Sequence, residues 1–155
     1  MKVSEFISPE DEKEIIEAIK EAELNTSGEI RVHIEHECTG DRFDHALEIF
    51  EKLEMHKTEL SNGVLIYVSI DDHQLVILGD KGINDVVPKG FWESTKDEII
   101  NQFKKNNYKQ GLVNAIKISN PLSLPSCPIP QASPQSAAYV PMYSPLSELM
   151  VATTI

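Results

Sequence analysis

The spacing of apolar positions along the first 118 residues predicts the order of helices and strands. Helical spacing follows Ser8-Pro9, a pair typical of a helix start, and ends at residues 25–28, which are four poor helix formers. A period of two follows over residues 29–37 and predicts a strand with one packed face and one polar face. The apolar members of the first helix are Ile15, Ile16, Ile19 and Ala22.

Residues 62–80 predict the centre of the fold. Two apolar runs, at 64–70 and 75–78, are bounded by turn residues on each side. Unbroken runs of this kind are typical of strands buried on both faces, and the short Asp71-Asp72-His73 interval predicts a hairpin.

Helical spacing returns on both sides of this hairpin. A second helix starts near Asp41 and Asp44, and two more are expected over residues 89–105 and 108–118, whereas residues 81–88 are expected to form a loop with one tight turn. Because strand, helix and strand follow in order, the first two strands are predicted to be parallel and the third antiparallel to the second. The predicted fold class is therefore α/β, a three-layer sandwich in which a mixed sheet has helices on both faces.

The composition changes abruptly after residue 118. Residues 119–155 hold seven of the nine prolines and no Lys or Arg, which disfavours long helices and interior strands. We therefore predict an α/β domain at residues 1–118 and a Pro/Ser-rich tail at residues 119–155, which is irregular or a foreign extension.

The charge of the chain restricts its partners. A net charge of -11 and an isoelectric point near 4.8 disfavour nucleic acid and anionic membranes and favour divalent cations or a basic protein partner. No apolar run has the length of a signal peptide or a membrane span, and Cys38 and Cys127 are too far apart in sequence to suggest a metal motif. We expect a cytoplasmic protein without a membrane span.

The predicted topology divides the acidic residues between two ends of the sheet. The first group holds residues 35–38, the turn at 71–73, Asp41 and Asp44. Within it, Asp41 and Asp44 suit helix caps better than a cation site, and Asp71 and Asp72 suit a tight turn. The second group holds Glu29, Asn62 and Asp80, although Glu29 also suits a solvated strand face and Asn62 a plain turn. Oxygen ligands of this type are those that Ca²⁺ and Mg²⁺ prefer.

The second group is the favoured candidate for a cation site. Its predicted metal ligands are Glu29, Asp80 and Asp85, and its predicted ligand-binding residues are Asn62, Gly79 and Lys81. Glycine beside Asp80 lets the loop approach a ligand closely. The five histidines lack zinc-site spacing, and the sequence assigns no catalytic residue.

An ordered set of short segments resembles the TPM domain family, which is named for a thylakoid lumen protein, a photosystem II repair protein and a nematode receptor modulator. The resemblance covers about residues 8 to 117. The segments are Thr26-Ser27-Gly28-Glu29-Ile30-Arg31-Val32, the helix at 46–53, Asn62-Gly63-Val64-Leu65-Ile66-Tyr67-Val68, Asp71-Asp72, Gly79-Asp80-Lys81-Gly82-Ile83, and residues 103–112.

The resemblance implies an α/β sandwich and three expectations about function. Members of the family are associated with divalent-cation binding, with acid phosphatase activity in a plant relative, and with assembly or repair of membrane complexes. The family's Asn-Gly before the central strand matches Asn62-Gly63, and its Gly-x-Gly loop matches residues 79–82 approximately. The main prediction is a domain that binds Ca²⁺ or Mg²⁺, and the alternatives are a metal-dependent acid phosphatase and an acidic protein-interaction module.

Overall fold

Helices and a mixed sheet make up the described part of the chain, which in this computed structural model comprises residues 2–24, 28–58, 61–85, 87, 90–119 and 153–154. The helices are α1 (Val3–Phe6), α2 (Pro9–Leu24), α3 (Arg42–Lys52), α4 (Lys81–Asn84), α5 (Phe91–Phe103) and α6 (Tyr108–Ile118), and a 3-10 turn covers Met55–Lys57. The strands are β1 (Ile30–Glu35), β2 (Val64–Ser69), β3 (Gln74–Gly79) and the two-residue β4 (Thr153–Thr154).

The sheet has the order β1-β2-β3-β4. β1 and β2 are parallel and begin together, with Ile30 opposite Val64. β2 and β3 form the predicted antiparallel hairpin, in which Val64 lies opposite Gly79. β4 pairs with the start of β3, and the rest of the predicted tail, residues 120–152 and 155, lies outside the described residues.

Helices cover both faces of the sheet, as predicted. Alternate residues of β2, namely Val64, Ile66 and Val68, belong to a core shared with α2, α5 and α6. Leu65 and Tyr67 belong to a second core, which α3 closes on the other face. All six residues of β2 are buried because the strand has neighbours on both edges and helices on both faces. The fold is a three-layer α/β sandwich.

Two local features differ from the sequence prediction. α1 was not predicted, and residues 81–84 form the short helix α4 where a loop was expected. The side chain of Asp80 accepts a hydrogen bond from the backbone N–H of Lys81 and so caps this turn. α5 begins at Phe91, after Gly90 with a φ of 80°, and the expected start at about residue 89 lies outside the described residues.

No helix in the described ranges combines the length and the apolar character that a membrane crossing requires.

Candidate functional site

One end of the sheet, where β1 and β2 begin and β3 ends, is here called the amino-terminal rim. Its residues are Glu29, Asn62, Gly63 and Asp80. The backbone O of Glu29 accepts a hydrogen bond from Val64 N at 2.8 Å, and Asp80 N donates to Gly63 O at 2.8 Å. Glu29 and Asp80 therefore flank β2 from opposite sides, about 10 Å apart along the sheet. The structure brings Glu29, Asn62 and Asp80 to the same end of the sheet.

Asp80 is the buried acid of this rim. Its side chain is enclosed, with 4% of the residue exposed. Oδ1 accepts a hydrogen bond from Lys81 N at 2.7 Å, whereas Oδ2 has no hydrogen-bond partner among the described residues. Removal from water raises the pKa of Asp80, although the bond from Lys81 N and the nearby His56 act in the opposite direction.

Asn62 is also buried at this rim, with 6% of the residue exposed. Its backbone N–H donates to Thr58 Oγ1 at 3.0 Å. A side chain at Gly28 would lie 2.7 Å from the backbone O of Asn62, so the glycine is required for the close approach of these two segments. Asn62 is therefore held closely against the segment that leads into β1.

The other predicted ligands are placed differently. The Glu29 carboxylate accepts a hydrogen bond from Arg31 Nε at 2.7 Å, so it is already neutralised by a cation of the protein. Asp85 and Lys81 are exposed on α4 and at its end. Gly79 is buried against the indole of Trp92, which explains this glycine by packing.

The described ranges contain no group of three or more His, Cys, Asp or Glu side chains that could hold a metal ion. A cation at the amino-terminal rim would thus depend on one buried carboxylate and on neutral oxygens. The ligands of such a site would together carry a low negative charge.

The opposite end of the sheet, where β1 and β2 end and β3 begins, contains the first group of acids. Asp72 Oδ2 accepts hydrogen bonds from Cys38 N at 2.5 Å and from Ser69 Oγ at 2.7 Å, and these two bonds lower the pKa of Asp72. Asp41 caps α3 by accepting a hydrogen bond from Phe43 N at 2.9 Å. Asp72 and Asp41 therefore fill the turn and cap roles that their positions suggested.

A polar cluster on the α3 face was missed by the sequence reasoning. Tyr67 Oη donates to Glu35 Oε1, which also bonds to His45 Nε2 at 2.6 Å, and His33 Nε2 lies 3.4 Å from Glu35 Oε2. We call these four residues the Glu35 cluster. The available signal was Tyr67, whose hydroxyl interrupts an otherwise apolar run directly opposite His33.

A shallow cleft of about 690 Å³ lies between α1, α2 and the start of α6. Lys109 on its wall forms ion pairs with Asp11 at 3.5 Å and Glu14 at 3.0 Å. These pairs connect α6 to α2, and none of the predicted site residues lines the cleft.

A family model described as the TPM domain matches residues 2–119. The chain belongs to the TPM domain family. The TPM domain resemblance drawn from the sequence segments is therefore confirmed.

Two solved structures are similar to this TPM domain. The BA42 protein from the psychrophilic bacterium Bizionia argentinensis has 50% sequence identity and a TM-score of 0.73, covering 83% of this chain and 88% of that chain. The N-terminal domain of a protein from P. gingivalis has 18% identity and a TM-score of 0.60, covering 74% of each chain, and this likeness concerns the fold alone. No curated protein matches this TPM domain.

Proposed function

We propose that this TPM domain binds a divalent cation, Ca²⁺ or Mg²⁺, at the amino-terminal rim, with Asp80 as the anionic ligand. The supporting observation is the buried Oδ2 of Asp80, which lacks a hydrogen-bond partner among the described residues. Leaving a buried polar group unsatisfied costs about 1–3 kcal/mol, and more when the group is charged. A hard cation bound to this oxygen would offset that cost.

The neighbouring oxygens define the character of the proposed site. The buried Asn62 offers neutral oxygen ligands on the same rim. Glu29 would join only by exchanging its ion pair with Arg31 for the cation, and Asp85 only by turning inward from its exposed position. With so few carboxylates, the affinity should be weak, with a dissociation constant of roughly 10⁻⁴–10⁻³ M.

Titration with Ca²⁺ and Mg²⁺, followed by backbone amide chemical shifts, tests this site. Asp80→Asn removes the charge but keeps the size of the side chain, and Asp97→Asn makes the same change on the exposed face of α5. We expect shifts at residues 61–63 and 79–85 in the wild type and in Asp97→Asn, and none in Asp80→Asn. Unchanged wild-type shifts well above ~1 mM cation would refute the proposal.

Thermal unfolding gives an independent measurement. A ligand at ten times its dissociation constant adds about 1.4 kcal/mol to the free energy of unfolding. This gain should occur in the wild type and in Asp97→Asn, and it should be absent in Asp80→Asn. An equal gain in all three proteins would place the cation elsewhere.

A metal-dependent phosphomonoesterase is the second candidate, because a positive charge on His56 favours the ionised form of Asp80. A cation, a carboxylate and an imidazole together suit hydrolytic chemistry. Cation-dependent hydrolysis of an aryl phosphate should then be lost in both Asp80→Asn and His56→Gln. Turnover that neither substitution reduces would come from a contaminant and would refute this activity.

A further inference from the structure

The outer edge of β1 carries backbone groups that no described strand pairs. Within the described sheet, β1 pairs only with β2. Hydrogen bonds from Val64 N to Glu29 O and from Ile70 N to Glu35 O show that the odd-numbered residues of this segment direct their backbone groups toward β2. In a parallel pair, the even-numbered residues then direct theirs away from β2.

Of the even-numbered residues, only Ile30 has its outward N–H occupied within the described chain. Ile30 N donates to Glu23 Oε1 at 2.9 Å, so the side chain of Glu23 protects the start of the edge. Val32 and Ile34 follow with outward N–H and C=O groups. Unpaired groups of this kind form a template for another strand.

An exposed apolar side chain lies on α2, the helix that precedes β1. Ile16 is 42% exposed and lies on the same side of α2 as Glu23, seven residues later. Seven residues of helix span about 10.5 Å, which equals about three residues of a strand. Glu23 contacts Ile30, so an α2 that runs back along β1 carries Ile16 to about the level of His33.

The other face of the same edge is polar and carries both signs of charge. Arg31, His33 and Glu35 lie on this face and are not fully buried. We propose that β1 binds β1 of a second copy of this chain in an antiparallel pair centred on His33. Arg31, which pairs with Glu29 of its own chain at 2.6 Å, then lies opposite Glu35 of the partner subunit, and the same arrangement recurs across the two-fold axis.

The backbone supports the same register. Val32 exchanges two hydrogen bonds with Ile34 of the partner subunit, and symmetry repeats them, which gives four bonds. Shifting the register by two residues in one direction removes the contact between Arg31 and Glu35 of the partner subunit and places Glu29 opposite that carboxylate instead. Shifting it in the other direction requires the carbonyl of His36, which already accepts from Asp71 N at 2.8 Å.

Sedimentation equilibrium of the full chain over a range of concentrations tests this interface. The measurement belongs at ~0.15 M salt, where a Debye length of about 8 Å screens the repulsion between two copies of charge -11. We expect a monomer–dimer equilibrium that persists with a chelator, because the interface does not depend on the cation site. A monomer at every concentration would overturn the proposal.

Two pairs of variants locate the interface. Arg31→Glu places like charges opposite each other twice and should weaken the dimer at least about tenfold, whereas Arg42→Glu makes the same charge change on α3 and should not. Ile16→Lys should also weaken the dimer, whereas Leu53→Lys, at 37% exposure on α3's side of the sheet, should not. Equal effects within each pair would place any dimer at a different surface.

Amide hydrogen exchange gives the residue-level readout. The N–H groups of Val32 and Ile34 should become protected as the protein concentration rises, and Arg31→Glu should reverse this protection. Far-UV circular dichroism of each variant establishes that the fold is intact. A dimer in which these two amides exchange as fast as in the monomer would overturn the proposal.

Discussion

The Glu35 cluster leads to a prediction about a single hydroxyl group. Tyr67 is fully buried, and its Oη donates a hydrogen bond to Glu35 Oε1. Tyr67→Phe keeps the ring packed against α3 but removes this donor. The free energy of unfolding should therefore report the hydrogen bond rather than a packing defect.

The expected loss follows from the charge of the acceptor. Hydrogen bonds to charged groups contribute about 1.5–3 kcal/mol. Glu35 keeps its bond from His45 and is 27% exposed, so solvent can replace part of what Tyr67 supplied. We therefore expect a loss near the lower limit, about 1.5 kcal/mol, equivalent to roughly 6 °C in melting temperature for a domain of this size.

Urea unfolding of the wild type, Tyr67→Phe and Tyr108→Phe at pH 7 measures this loss. Tyr108 is the matched control, because its hydroxyl donates to the neutral Oδ1 of Asn106 at 3.0 Å on the surface. Tyr108→Phe should cost less than about 0.5 kcal/mol. If the two variants differ by less than about 0.3 kcal/mol, the Tyr67 bond contributes no more than a surface hydrogen bond, and the reasoning is refuted.

The same variant should show a defined pH dependence. Burial by itself would raise the pKa of Glu35, but the bonds from Tyr67, His45 and His33 outweigh burial and lower this pKa below its usual value of 4.5. A lowered pKa in the folded state stabilises the protein above the unfolded-state pKa, and this stability is lost as the pH falls through the folded-state pKa. The difference between wild type and Tyr67→Phe should therefore shrink below about pH 4.

Three further predictions concern residues at the two ends of the sheet. Gly79→Ala should cost about 1–3 kcal/mol and change the emission of Trp92, because the new methyl group overlaps the indole; an unchanged spectrum would contradict this. Asp41→Ala should cost about 1 kcal/mol by urea unfolding, since two backbone N–H groups lose their acceptor, and a loss below ~0.3 kcal/mol would exclude the cap. Burial raises the pKa of Asp80 above 3.8, which favours the protonated form, so stability in chelator should decline as the pH rises through the raised pKa; Asp80→Asn should lack this decline.

Most of the architecture could be predicted because it depends on local periodicity. The apolar run of β2 reports burial on two faces, and the strand–helix–strand order fixes the parallel pairing with β1. α1 and α4 escaped prediction because helices of four residues have too few positions to show a period. α4 depends instead on one capping carboxylate, Asp80, whose role is visible only once its side chain is placed.

The candidate site could be predicted as a location but not as a set of contacts. Topology alone brings Glu29, Asn62 and Asp80 to one end of the sheet, as the structure shows. The side-chain partners depend on which face each residue occupies and on which neighbour reaches it first. Arg31, two residues after Glu29 on the same strand face, neutralises that carboxylate, and nothing in the spacing of acidic residues predicts this pairing.

The two ends of the sheet differ in how their acids are neutralised, and this difference underlies the proposed cation site. At the end of the sheet opposite the amino-terminal rim, Asp72 and Glu35 each receive two or more hydrogen bonds from the protein, and the pKa of each is lowered. At the amino-terminal rim, Asp80 is more deeply buried, yet one of its oxygens has no donor among the described residues, and its pKa is raised. An acid that the fold leaves unneutralised is the place where an external cation gains the most. A side chain introduced near Asp80 as a hydrogen-bond donor should therefore compete with Ca²⁺ for the carboxylate. A donor introduced near Asp72 should not affect Ca²⁺ binding.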